Sequence, residues 1–308
     1  MVCSITRRAS FSASYYYRLP ELSQADNEAR FGIQARSPGA TFWLWVKIIG
    51  PVDEFGMVAN LSTQVKRSLT RYILNPLNGR NLNETWAEFT ETLPTPEWIS
   101  HTLWHRLKPH LNVASIVVSP HEQVRGEYLG DGMEARLTIR THFSAAHRLS
   151  LTRLTLIQNS EIYGKCARPS GHGHNYHLAV TVQGEIDPKS GMVVDFKSLN
   201  DLIENGIIKE LDHRFLNTDI PYFDQVVPTA ENIAIYIRDS LETPIKNLGA
   251  TLYKIELHET DNNSCEVYGK SVTEAKTEAK IESQSLEQLA QGSPSTPAPV
   301  SNSRPASV

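Results

Sequence analysis

The stretch "FSAAHRLSL", residues 143–151, decides the fold, because nearly the same stretch, "FSASYYYRL", occurs at residues 11–19. A second pair follows at the same separation, since "YGKCARPSG" at 163–171 resembles "FGIQARSPG" at 31–39. Five such pairs run in the same order along both halves, separated by 132 to 135 residues. Chance similarity does not keep a nearly constant spacing, so the sequence indicates a duplicated unit.

The duplication divides the chain into four segments. Residues 1–128 form the first copy, residues 129–134 a short glycine-containing connector, and residues 135–269 the second copy. From about Lys270 the chain has almost no aromatic or large apolar residues, and it ends in a Ser/Pro/Ala run. Such a segment cannot bury enough apolar surface to offset the entropy lost on ordering. Residues 270–308 are therefore predicted to be a disordered tail.

The pattern of the second copy predicts an α+β unit of order ββααββ. Period-2 alternation indicates strands and a period of 3.6 indicates helices. The predicted elements are strands over 135–147 and 174–186, helices over 195–211 and 230–241, and strands over 251–260 and 265–269. The strands form an antiparallel sheet with the helix pair on one face. Because four strands leave two open edges, we expect units to associate edge to edge.

Composition excludes several classes of protein. A net charge of −4 and a pI near 6.3 give no reason to expect nucleic acid or an anionic membrane as a partner. Three cysteines are too few for a disulfide framework and favour a reducing compartment. The longest apolar run, "TFWLWVKIIG", is far shorter than the ~20 residues of a membrane span. We therefore expect a cytoplasmic protein that acts on a small molecule.

Three histidines of the second copy form a candidate metal site. His172 and His174 are two positions apart on a predicted strand, so both imidazoles can share a face. The best third ligand is His147 on the neighbouring strand, because catalytic zinc usually takes three protein ligands and keeps one position open. His177 is an odd number of positions from His174 and is left out, as is His142. An isolated H-x-H pair is more often strand polarity, but the first copy has Tyr15, Pro38 and Ala40 at the three positions, so the fold alone does not require histidines.

Cys166 is a candidate base. A lone cysteine is usually a small buried hydrophobe. This one lies in a loop rich in Arg, Pro, Ser and Gly, six residues before His172, and the first copy has Gln34 in its place. A thiol beside a metal and Arg168 is favoured as the thiolate, which accepts protons.

Two acidic residues and a histidine complete the candidates from the sequence. Asp212 precedes His213 in "LDHRFLN", whereas the first copy reads "LNGRNLN" with Asn78 and Gly79. An acid next to a histidine can orient or charge its imidazole. Glu259 follows an apolar strand and can hold an N–H-rich heterocycle by paired hydrogen bonds, although a solvated acid at a strand end remains an alternative.

The second copy resembles the 6-pyruvoyl-tetrahydropterin synthase family, which includes the 6-carboxytetrahydropterin synthases of queuosine biosynthesis. It carries, in family order, "FSAAHRL", "YGKCARPSGHGHNYH", "GEIDPKSGMVVDF", "LDHRFLN", "PTAENIAIYI" and "LYKIELHETDNN". The resemblance implies the tunnelling fold, in which ββααββ units associate into barrels, and zinc (Zn2+) held by His147, His172 and His174.

The resemblance also implies roles for the other candidates. Cys166 is the general base, Asp212 and His213 complete a proton relay, Glu259 anchors the pterin ring and Thr229 assists. The implied substrate is 7,8-dihydroneopterin triphosphate, which loses triphosphate to give 6-pyruvoyl-tetrahydropterin. The five residues between Cys166 and His172 favour this product. The alternatives are a 6-carboxytetrahydropterin synthase, which releases acetaldehyde, and a pterin-binding protein without turnover.

The first copy departs from the family at every catalytic position. We therefore expect residues 1–128 to bind no zinc and to have no activity. In this family active sites lie between subunits, so an inert copy can still supply sheet edges and pocket walls. The duplication thus predicts a homo-oligomer, a trimer or higher, in which each chain contributes two units and one live site.

Overall fold

The computed structural model describes residues 2–270 and 272. The tail predicted over 270–308 therefore lies outside the described residues, apart from Lys270 and Val272. The two copies pack into a single unit that ends at Gly269.

Ten strands lie within the described part of the chain. Their bounds are β1 (Val2–Ser14), β2 (Gly39–Pro51), β3 (Arg80–Asn81), β4 (Val113–His121), β5 (Val124–Tyr128), β6 (Glu134–His147), β7 (His172–Glu185), β8 (Arg214–Phe215), β9 (Thr251–Thr260) and β10 (Asn263–Tyr268).

Helical segments connect the strands in both copies. The α-helices are α1 (Gln24–Phe31), α2 (Lys66–Leu69), α3 (Asn75–Leu77), α4 (Ala87–Glu91), α5 (Pro96–Leu107), α6 (Leu156–Tyr163), α7 (Phe196–Ile203), α8 (Lys209–Leu211), α9 (Leu216–Asp219) and α10 (Ala230–Asn247). Turns of 3-10 helix span Gly32–Arg36, Leu82–Glu84, Gly164–Ala167 and Pro221–Asp224, and π-helical turns span Leu61–Val65, Thr70–Leu74 and Glu204–Ile208.

All the strands belong to one continuous sheet. Its order is β10-β9-β7-β6-β5-β4-β2-β1-β3, with β8 added to β6. The long strands pair antiparallel, and only the short strands β3 and β8 pair parallel, with β1 and β6 respectively. Helix α5 packs on β4 and β5, and α10 packs on β9 and β10. This arrangement confirms the predicted α+β fold with an antiparallel sheet covered by helices, here as an open sheet.

The junction between the copies is a strand pair followed by a helix contact. Strand β5 of the first copy pairs with β6 of the second, from Val124↔Ile139 to Tyr128↔Ala135. Beside it, the hydroxyl of Thr95 donates to the carbonyl of Gly191, and the hydroxyl of Thr92 donates to that of Pro188 at 2.7 Å. The predicted edge-to-edge association of units therefore occurs inside one chain.

Gly191 is required at this junction. Its φ is +71°, and a Cβ at this position would lie 2.5 Å from the carbonyl oxygen of Leu93. Only glycine combines that backbone conformation with so close an approach. Trp98 and Trp104 contact the apolar cores of both copies, so the two cores are joined across the junction.

The core follows from the strand alternation. Along β6 the odd-numbered residues from Ala135 to Ile139 and from Phe143 to His147 are buried, and the even-numbered ones are more exposed. The buried face packs against Leu199, Ile203 and Ile237 of the helices. The candidate histidines lie on this same helix-covered face, where β6 and β7 end.

The prediction of elements was closest where periodicity was strong. The strand over 251–260 coincides with β9, and the helical pattern over 195–211 is one helical run interrupted by a π turn. Helix α10 continues past the predicted end at 241 to Asn247, through Pro244, because Ile245 is fully buried against the core. Helix α6 and strand β8 were not predicted. No helix in the described part of the chain is long and apolar enough to cross a membrane.

Candidate active site

Strand pairing brings the three candidate histidines together. In the β6–β7 ladder His147 lies opposite His172, and Ala145 lies opposite His174. Because alternate residues of β7 share a face, the rings of His172 and His174 both point toward His147. One ring nitrogen from each histidine lies within 4.8 Å of the others. The three side chains could hold a metal ion.

The hydrogen bonds of His147 aim its second nitrogen at the other two rings. Its side chain is fully buried, and Nδ1 lies 2.7 Å from the carbonyl oxygen of Pro228. Since a carbonyl only accepts, Nδ1 carries the proton and Nε2 presents a lone pair. This Nε2 is 3.2 Å from Nε2 of His172. The buried Nε2 of His174 has no hydrogen-bond partner within the described residues. Nitrogen atoms so placed suit a shared cation.

The protonation states also suit a metal. Burial lowers the pKa of His147, and the neighbouring His172 lowers it further, whereas the Pro228 carbonyl and the Glu259 carboxylate oppose this effect. Burial likewise lowers the pKa of His174, with Glu259 opposing. Neutral imidazole is the form that binds metal ions, so these environments prepare the site for one.

Glu259 and Tyr176 lie at the edge of the histidine cluster. Oε1 of Glu259 is 3.6 Å from Nε2 of His147 and 3.9 Å from Nε2 of His174, and Oε2 accepts an N–H of Asn263 at 2.7 Å. The hydroxyl of Tyr176 is 3.3 Å from Nδ1 of His147. Tyr176 was missed in the sequence, although it is two residues after His174 and the same alternation places it on the same face.

Cys166 approaches the cluster from the loop between β6 and β7. It lies half-buried in the 3-10 turn, and its carbonyl accepts the N–H of Leu149 at 2.9 Å. Burial raises the pKa of Tyr176, and the charges of Glu259 and Cys166 raise it further. The thiol is therefore close enough to Tyr176 to act on it electrostatically, on the side of the sheet that carries the histidines.

Asp212 and His213 form a pair at the other edge of β6. Oδ1 of Asp212 accepts the N–H of Ser144 at 2.8 Å, and Oδ2 lies 2.8 Å from Nδ1 of His213. These partners, the Ser144 N–H first, hold the pKa of Asp212 below its ordinary value. The side chain of His213 is 82% exposed. Within residues 2–270 neither member of the pair makes a hydrogen bond to Cys166, so one chain does not assemble the predicted relay.

Thr229 has a structural contact in this chain. It is the N-cap of α10, where its hydroxyl accepts the N–H of Asn232 at 3.3 Å. The sequence predicted this helix start after Pro228. The preceding Pro228 carbonyl is the one that binds His147, so the start of α10 and the histidine cluster are positioned together.

The first copy keeps the backbone of the site without its chemistry. The N–H of Tyr15 donates to the carbonyl of Pro38 at 3.1 Å, and Ala13 lies opposite Ala40, so Tyr15, Pro38 and Ala40 stand where the second copy has its histidines. In the part of the chain that the structure describes, the cluster of His147, His172 and His174 is the one group of three or more candidate metal ligands.

The duplicated antiparallel sheet with a three-histidine cluster at the end of one strand pair defines a tandem tunnelling-fold protein with a candidate metal site. A family model for 6-pyruvoyl tetrahydropterin synthase matches this chain twice, over residues 4–128 and 136–270. The chain belongs to the 6-pyruvoyl tetrahydropterin synthase family.

Curated relatives match about one copy's length of the chain. The 6-pyruvoyl tetrahydrobiopterin synthase of Homo sapiens is 46% identical over 134 residues, which are 44% of this chain and 91% of that protein. The Drosophila melanogaster protein of the same name is 43% identical over 129 residues, 42% of this chain and 76% of its own. Among solved structures, the Caenorhabditis elegans 6-pyruvoyl tetrahydropterin synthase is 38% identical, with a TM-score of 0.42, and the match covers 44% of this chain and 96% of that one.

Proposed function

We propose that this chain is a zinc-dependent lyase that converts 7,8-dihydroneopterin triphosphate to 6-pyruvoyl-tetrahydropterin with loss of triphosphate, and that only its second copy is active. The observation that carries the proposal is the cluster of His147, His172 and His174 in a chain of this family. The relatives at 43–46% identity bear the name of the pyruvoyl-forming enzyme, which favours this product over the 6-carboxy product.

The three histidines would hold the zinc ion. All three donors are nitrogen, two of them are half-buried and one is fully buried, and their shared space has room for a fourth ligand. Bound there, zinc acts as a Lewis acid that polarises a coordinated hydroxyl of the substrate. Pro228 fixes the tautomer of His147 through the Nδ1–H bond, so the chain itself selects the nitrogen that faces the ion.

Proton transfers fall to the other candidates. Cys166, on the histidine side of the sheet, takes a proton from the substrate carbon next to the polarised oxygen. Asp212 accepts a hydrogen bond from His213 and favours its charged form, which returns a proton. Glu259, beside the cluster, accepts the N–H groups of the pterin ring, with Thr229 assisting.

Assembly is part of the proposal, because one chain leaves the relay incomplete. The outer edge of β1 pairs only with β3, at Ala13 and Ser14, and β10 has a strand partner only on its β9 side within the described residues. Exposed strand edges are templates for pairing with another chain. We infer a cytoplasmic homo-oligomer in which these edges meet and His213 of one chain serves Cys166 of another.

The test is incubation of the zinc-loaded chain with 7,8-dihydroneopterin triphosphate. We expect triphosphate and 6-pyruvoyl-tetrahydropterin in equal amounts, whereas acetaldehyde with a 6-carboxy product would assign the other branch. Cys166→Ala is expected to lower turnover by about 100-fold or more and to keep zinc. The control is Cys265→Ala, since the thiol of Cys265 bonds the Ala230 carbonyl and burial raises its pKa to about 11. Equal turnover in both variants, or no turnover in the parent chain, would support a pterin-binding protein instead.

A further inference from the structure

A cavity of about 250 Å³ lies at the degenerate site of the first copy. Tyr15 and Gln34 line it at the positions that His147 and Cys166 hold in the second copy, and the N–H of Tyr17 bonds the Gln34 carbonyl as that of Leu149 bonds the Cys166 carbonyl, both at 2.9 Å. The second copy closes the other side. The first copy has therefore kept a cavity after losing the residues for metal and proton chemistry.

One acidic side chain faces this cavity. Glu97 lines it and is 2% exposed. Its Oε1 accepts the N–H of Val193 from the second copy at 3.3 Å, a long hydrogen bond. Among the described residues no Lys, Arg or His nitrogen lies within 4.0 Å of the carboxylate. A carboxylate offers about four acceptor sites, so Glu97 keeps unused capacity in a dry place.

The walls of the cavity are aromatic. The rings of Tyr15 and Tyr17 are 5.4 Å apart and those of Tyr17 and Phe31 are 5.9 Å apart, and Phe196 of the second copy also lines the space. Small-molecule sites combine apolar, aromatic walls with a few buried polar groups that fix orientation. Flat walls and one buried acceptor pair select a flat ligand with two adjacent donors.

We propose that this cavity binds a planar heterocycle of the 2-amino-4-oxo type, which donates two parallel N–H groups to Glu97, and that it does so without metal and without turnover. Paired hydrogen bonds from an amidine-like edge to a carboxylate are strong and directional. Burial raises the pKa of Glu97 to about 7, so the carboxylate is available at neutral pH and is a poorly compensated charge until a donor pair arrives. The inference concerns a site separate from the histidine cluster and does not depend on the lyase activity.

The test compares two probes on the full-length chain. Pterin (2-amino-4-oxopteridine) carries the donor pair, and lumazine (2,4-dioxopteridine) has an oxygen in place of the 2-amino group. We expect Glu97→Gln, which turns part of the acceptor into a donor, to weaken pterin binding at one site per chain by at least about 10-fold, while lumazine binding stays unchanged. Equilibrium dialysis gives both the number of sites and their affinities.

Two further variants keep the result interpretable. Ala29→Trp fills the mouth of the cavity from an exposed position and leaves the carboxylate in place, so it should remove the same site even if Glu97→Gln folds poorly. Glu231→Gln is the matched change in the second copy, at the same position of "PTAENI", and should leave the site at Glu97 intact. Identical pterin isotherms for the parent, Glu97→Gln and Ala29→Trp would overturn the proposal. Zinc content and lyase turnover are measured separately, so failure of one proposal does not imply failure of the other.

Discussion

Asn78 and Asp212 make the same hydrogen bond in the two copies. Oδ1 of Asn78 accepts the N–H of Ser12 at 2.9 Å, and Oδ1 of Asp212 accepts the N–H of Ser144 at 2.8 Å. The next residue has positive φ in both cases, +73° at Gly79 and +58° at His213. The first copy thus retains the turn geometry while an amide replaces the charge and glycine replaces the imidazole.

Asp212→Asn should therefore separate stability from turnover. The amide oxygen can still accept the Ser144 N–H, so we expect the free energy of unfolding to change by less than about 0.5 kcal/mol. Turnover should fall about 100-fold or more, because the amide no longer favours a charged His213. Asp212→Ala is the matched comparison, and loss of its hydrogen bond should cost about 1–2 kcal/mol. Urea unfolding and product assays on both variants check this, and an active Asp212→Asn enzyme would remove Asp212 from the relay.

His172→Ala should abolish metal binding. We expect the zinc content of protein purified without added metal to fall from one ion per chain to none, and turnover to be lost with it, since two nitrogen ligands hold zinc poorly. His177→Ala is the control on the same strand, because His177 is exposed and lies opposite His142 on the face that the helices do not cover. Elemental analysis distinguishes the cases, and a full zinc ion in His172→Ala would remove that residue from the ligand set.

A subunit-mixing experiment tests whether the relay is shared between chains. Cys166→Ala and His213→Ala should each be inactive alone. If the two residues of a working site come from different chains, co-assembly of the variants should restore about a quarter of the parent activity, as random pairing of subunits allows. A mixture of Cys166→Ala with the double variant should restore none. Absence of recovery in a verified mixed oligomer would place the relay within one chain.

The pH dependence of stability should report on Glu97. Its folded pKa is about 7, above the ordinary value of 4.5. The folded state therefore binds the proton more tightly, and the stability contributed by that proton is complete below pH 4.5 and is lost as the pH rises through 7. Over these 2.5 units the free energy of unfolding should fall by up to about 3 kcal/mol, at about 1.4 kcal/mol per unit. In Glu97→Gln this fall should be absent, and parallel profiles for the two proteins between pH 4 and 8 would contradict the assignment.

Much of the fold could be predicted because the repeat and the periodicity are local signals. Strand β9 and the start of α10 at Thr229 follow from alternation and from Thr–Pro capping chemistry. Helix α6 was missed because only Asn159 within it is buried, so it carries no clear apolar stripe. The single sheet across both copies depends on the β5–β6 pairing, which no local pattern specifies.

The site was predictable to the same degree. The histidine cluster needs only the knowledge that β6 and β7 are neighbours and that alternate residues share a face. The surroundings of Glu97 could not be predicted, because its burial depends on Val193, which is 96 residues away in the sequence. The assignment of the relay to a single chain could not be tested by sequence either, because the positions of Cys166 and His213 relative to each other depend on the assembly.

The pairing of β5 with β6 also fixes composition. Because Val124–Tyr128 of the first copy and the start of β6 are parts of one polypeptide, the unit with histidines and the unit without them are produced in equal numbers and are always neighbours. Separate polypeptides with such similar edges would sort at random, and many assemblies would hold runs of one kind. Fusion removes that sorting problem, and mutations can then accumulate in the first copy wherever they spare its edges and its contact with Gly191.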